Sequence, residues 1–113
     1  MNIEAKLIQF LQGALGTNSV YAEVPEKPEQ EFFVVDKTAG SMTNRIKFST
    51  VAIQAYGPTK LRASELNEQV KEAMDGFVAL DEICGCRLDN DYNFTNTQKR
   101  QHRYQSVWDI YHY

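Results

Sequence analysis

Apolar positions along the chain change their period several times, and each change marks an element. Ile3, Leu7, Ile8, Leu11 and Leu15 recur at helical spacing and predict one helix over 3–15. Asn2 is placed to cap its start, and Gly16-Thr17-Asn18 reads as its stop. Residues 19–24 form a short strand pattern ended by Pro25, and residues 25–31 are polar and loop-like. Residues 31–37 carry Phe32-Phe33-Val34-Val35, a continuous apolar run expected of a strand covered on both faces. Thr38 to Asn44 is small and polar, and is expected to be a flexible hairpin tip longer than a tight turn requires.

Residues 45–56 form the longest strand pattern. Val51, Ile53 and Ala55 alternate in one phase, while Ile46 and Phe48 alternate in the other. The slip near Ser49-Thr50 points to a bulge, or to a hairpin arm projecting beyond the core sheet. Gly57-Pro58 breaks the strand and opens a second helix over 58–77, with Ala63, Leu66, Val70, Ala73, Met74 and Phe77 on its apolar face. Residues 82–88 read as a short strand, residues 89–101 as a polar loop, and residues 103–112 as an aromatic strand. The pattern predicts one α+β domain over 1–113, mainly antiparallel sheet with both helices packed on one face.

The chain has 113 residues and a net charge of −3. That charge offers no general basic face for duplex binding. No segment is long and apolar enough to cross a membrane, and the first residues lack the pattern of a signal peptide. Cys84 and Cys86 are the only cysteines, and a bridge at this spacing would be strained. They read as reduced thiols in a cytosol.

Candidate chemistry is sparse. Cys84-Gly85-Cys86 with His102 or His112 could supply metal ligands, but structural zinc pairs are usually spaced by two to four residues. No motif sets a base beside either thiol. Asp89-Asn90-Asp91-Tyr92-Asn93 has the spacing that opens a calcium loop, yet its sixth position is Phe94 and its twelfth is Arg100. A solvated Asx-rich turn is the plainer expectation, with weak cation binding at a subunit boundary left open. Lys99 to Tyr104 is a basic run beside aromatics on which bases could stack, although the acidic net charge favours a charged loop entering a strand. Tyr104, Trp108, Ile110, Tyr111 and Tyr113 cannot all face the core, and exposed aromatics mark binding surfaces. These features predict no catalytic site, no cofactor and no metal.

The order of these segments resembles a family. The N-terminal helix is followed by Val20-Tyr21-Ala22-Glu23-Val24-Pro25, Phe32-Phe33-Val34-Val35 and the Gly40-Ser41 tip. Val51-Ala52-Ile53-Gln54-Ala55-Tyr56-Gly57 then leads into Ala63-Ser64-Glu65-Leu66, and Tyr92-Asn93-Phe94 and Arg103-Tyr104-Gln105 precede the aromatic end. The whole chain is similar to tail terminators, also called minor tail or tail completion proteins, of long-tailed non-contractile bacteriophages or prophages. The resemblance implies a non-catalytic subunit of a hexameric ring that caps the tail tube, stops its polymerisation and faces the head. Implied partners are further copies of the chain, the tube protein and head–tail connector proteins, with DNA only passing through the ring. The implied place is the virion tail, assembled in the cytoplasm of a bacterial host. Candidate interface residues are Thr38, Gly40, Ser41, Met42, Asn44, Arg45, Lys47, Asp91, Tyr92 and Arg103. Other readings are a head-closure or adaptor subunit, a small hydrolase or ligand-binding domain, and a nucleic-acid-binding module.

Overall fold

A computed structural model describes residues 2–99 and 101–113. Helix α1 spans Ile3–Leu15, and Asn2 caps it by accepting a hydrogen bond from the Ala5 amide at 3.1 Å. Gly16 ends it in the left-handed region at φ 66°, where its amide reaches back to the Gln12 carbonyl. Strand β1 is only Val20–Tyr21; β2 spans Phe32–Thr43 and β3 Ile46–Gly57. Helix α2 spans Lys60–Met74, followed by one 3-10 turn at Phe77–Ala79. Strands β4 (Ile83–Asn93) and β5 (His102–His112) complete the chain.

The five strands lie in the order β1-β2-β3-β5-β4, parallel only between β1 and β2. Both helices cover one face, so the fold is α+β. Leu7 and Leu11 of α1 and Leu66, Val70 and Met74 of α2 bury against Phe33, Val35, Val51, Ile53, Trp108 and Ile110. Phe77 closes this core, meeting Phe10 edge-on at 5.1 Å between ring centres. The run Phe32–Val35 is buried on both faces because Phe32 and Val34 point away from the helices. There they pack with Tyr56 and Tyr21, and Phe32 stacks on Tyr56 at 4.3 Å. Gly57 is required where β3 passes under α2, since a Cβ there would lie 2.8 Å from the Ala63 nitrogen.

The structure corrects four sequence-based expectations. First, Thr38–Asn44 is not a loose tip. β2 continues through Thr43, and only Asn44 and Arg45 form the turn, at φ 52° and 68°. Two consecutive positive φ angles suit the twist of a two-residue hairpin. Second, the bulge lies in β2 rather than β3. Lys37 pairs with Val51 and Ala39 with Thr50, which leaves Thr38 as the extra residue. Ile46 and Phe48 differ in phase from Val51 because they line the face away from the helices. Third, residues 89–101 are not all loop: β4 runs to Asn93, with bulges at Cys84 and Asp89. The proposed Asx-rich turn and calcium-loop start are therefore strand. Fourth, the helix expected over 58–77 is shorter: α2 begins after Thr59, whose hydroxyl accepts from the Arg62 amide at 3.1 Å, so Pro58 precedes the cap, and it ends at Met74, with Phe77 in the separate 3-10 turn.

Candidate assembly surface

The candidate interface residues fall into two groups at opposite ends of the β3–β5 ladder. Lys47 pairs with His112 at one end, and Tyr56 pairs with Arg103 at the other. Nine residue steps of strand separate His112 from Arg103 along β5, roughly 30 Å.

The first group builds an arm, the part of β2 and β3 beyond the bulge at Thr38. Every residue from Asp36 to Ile46 is exposed. Gly40, Met42 and Lys47 line the helix side of the arm, while Ser41, Thr43, Ile46 and Phe48 line the other side with Tyr111. Phe48 and Tyr111 meet at 5.1 Å between ring centres. Met42 is 65% exposed and Tyr111 46%, so large apolar side chains face solvent on both sides of the arm. Lys37, Arg45 and Lys47 lie within 4 Å of no carboxylate among the described residues. Among the described residues, the outer edge of β2 has no strand partner beyond Val34. Glu4 blocks part of that edge by accepting from the Lys37 amide at 3.0 Å.

His112 anchors the root of the arm and is buried. Its Nδ1 lies 3.1 Å from the Tyr113 oxygen, which only accepts, so Nδ1 carries the proton. Nε2 then accepts from the Ser49 hydroxyl at 2.9 Å. Burial holds the imidazole pKa below its ordinary value, and Lys47 and Lys37 push the same way.

The second group divides between the two faces of the sheet. Asp91 points toward α2, accepting from Lys71 Nζ at 2.6 Å and from Asn67 Nδ2 at 3.2 Å. Lys71 also lies 2.8 Å from Glu68, and its hydrogen bonds to Asp91 first and Glu68 second raise its pKa. Tyr92 and Arg103 lie on the face away from the helices. Arg103 donates to the Tyr56 hydroxyl at 2.9 Å, and its guanidinium lies 4.4 Å from the centre of the Phe94 ring. The Tyr56 hydroxyl donates to Gln54 at 3.0 Å, Gln54 donates to Gln105 at 2.8 Å, and Gln105 donates to the Tyr92 hydroxyl. This chain of polar contacts spans three strands and fixes Tyr92 and Arg103 within their own subunit.

Sequence reasoning missed a groove between the C-terminal half of α2 and β4. The helices cover β2, β3 and β5 and reach Asp91 of β4, but leave the helix side of β4 open at Cys86 and Leu88. The opening is about 640 Å³, floored by Met74, Cys86, Leu88 and Trp108 and rimmed by Lys71, Glu72, Asp75, Val78 and Arg87. Leu88 and Val78 are exposed. The only available signal was Leu88 in phase with Cys86, on a segment read as ending at Leu88.

No protein-family model matches the chain, and no curated protein is detectably similar to it. Cys84 is exposed and Cys86 half-buried, both as free thiols. Burial, with Asp75 nearby, pushes the Cys86 thiol up to about 11, so it stays protonated at neutral pH and is a poor nucleophile. Among the described residues, no three His, Cys, Asp or Glu side chains converge as a metal site. The aromatic strand divides as its alternation requires: Trp108 and Ile110 enter the core, whereas Tyr111 and Tyr113 are exposed.

Proposed function

We propose that the chain is a structural subunit of a phage tail, a terminator that closes into a ring, caps the tube and contributes to the head-joining surface. The arm carries this reading. The far end of the β2–β3 pair extends past the helical layer and displays Met42 and Ile46 to solvent beside the exposed Tyr111 of β5. An isolated domain gains nothing from that exposure, because removing such area from water stabilises by roughly 25 cal/mol per Å². A neighbouring surface would recover it. A closed ring needs one patch to meet a different patch on the next copy, and the arm and the far face of the molecule are such unlike patches. The hexamer, the tube protein and the connector partners enter this proposal from the resemblance.

Electron microscopy of the purified chain incubated with tail tubes tests the proposal. The expected result is a ring of density at one tube end and arrest of further tube growth. Rings bound to DNA-filled heads in the absence of tails would instead assign the chain to the head-closure class.

A further inference from the structure

We infer that the groove between α2 and β4 receives the arm of a second copy of this chain. The inference rests on the ring reading and specifies its contact. Three observations converge on it. The groove has an apolar floor of Leu88 and Trp108, with Val78 on its rim. Lys71 and Arg87 also line it but are paired within the subunit, Lys71 with Asp91 and Glu68 and Arg87 with Asp109, whereas Glu72 and Asp75 lie within 4 Å of no cation among the described residues, so the unpaired charge at the rim is negative. The arm carries the complementary set: Met42 as its most exposed apolar side chain, with Arg45 and Lys47 also lacking a carboxylate partner. The two surfaces lie on the same side of the sheet. Met42 and Lys47 line the helix side of the arm, and Leu88, paired with Trp108, lines the helix side of β4. They are carried by strands at different edges of the sheet, so one copy can offer its arm while accepting another.

The bulges at Cys84 and Asp89 also decide how the arm docks. They interrupt the row of hydrogen-bonding groups along the outer edge of β4, which disfavours simple strand addition. Docking therefore depends on side chains. Met42 fills the floor between Leu88 and Val78, and Arg45 meets Asp75.

Cross-linking tests this directly. In a Cys84→Ser, Cys86→Ala background, one population carries Met42→Cys and another Leu88→Cys. The two are mixed under mild oxidation, alone and with tail tubes, and their assembly state is followed by sedimentation. Covalent dimers should form in the mixture at about tenfold the yield of either variant alone. As a second readout, Arg45→Glu should weaken assembly about tenfold, and Asp75→Arg should restore it. Assembly without the mixed cross-link and without charge rescue would overturn the groove assignment while leaving the ring standing. Efficient cross-linking of Met42→Cys to itself would replace it with a two-fold arm–arm contact. Cross-links formed only to the tube protein would give the groove a different occupant and overturn the inference. A chain that remains monomeric at every concentration and on tubes would remove the ring reading and this contact together.

Discussion

The two ends of β3 solve opposite problems with the same backbone geometry. From Val51 to Ala55 every other side chain is sealed beneath helices and none of the core positions carries charge. From Lys47 to Thr50 the strand is also hydrogen-bonded on both sides, but its helix face carries Lys47 and Ser49 and no helix lies over the tip. The covered end gains stability from burial. The uncovered end adds little to a lone subunit and keeps its apolar and cationic groups available. Backbone pairing alone therefore does not separate core from arm in this sheet; helical cover does.

Substitutions at the covered end should cost most. Phe77→Ala removes a fully buried ring from beneath both helices and should destabilise the chain by about 3–5 kcal/mol, measured by urea unfolding. A loss below 1 kcal/mol would mean that the core does not depend on this ring. Asp91→Ala tests the polar seam between α2 and β4. It leaves the buried Asn67 amide without its acceptor and should cost roughly 1–3 kcal/mol. A neutral result would show that water replaces the carboxylate there.

His112 marks the boundary between the two regimes, and its effect depends on pH. Its folded pKa is depressed, so between the folded and unfolded values the unfolded chain binds the additional proton. The associated stability is present above the ordinary value of 6.5 and is lost as pH falls through the lower folded value. A His112→Gln variant should flatten the stability profile in that acid window; an unchanged slope would place the titration elsewhere. The smallest effect is expected at the tip. Met42→Asp should change folding stability by less than about 0.5 kcal/mol, because the side chain is already exposed. A larger loss would show that Met42 supports the isolated fold.

Much of the fold was legible in the sequence because its signals are local. Asn2 and Gly16 bracket α1 by cap chemistry, and Phe32–Val35 announces a strand buried on both faces. The arm was misread because Ala39 and Gly40 have poor strand propensity, yet pairing with β3 holds them extended. The second half of β4 was misread for the same reason: Asp89-Asn90-Asp91 has the composition of a turn, but β5 imposes a ladder on it. Among the candidate surface residues, Met42, Arg45 and Lys47 could be found as large or charged groups in a segment with no apolar core pattern. That Asp91 turns inward to Lys71 could not, because the bulge at Asp89 resets which face each later residue occupies. The groove was equally hidden, since it exists only because α2 stops short of covering an edge strand.

Thr38 gives the sheet a steering joint. Its hydroxyl donates to the Thr50 carbonyl at 3.3 Å, filling the space that one extra residue opens in the ladder. The pairs on either side, Lys37 with Val51 and Ala39 with Thr50, would need no change of partner if that residue were absent. A bulge bends its strand and increases the local twist. Loss of this single residue would therefore keep every side chain of the core and of the arm while changing the direction in which the arm points. Sequence length at this one position, rather than side-chain chemistry, governs the aim of the surface.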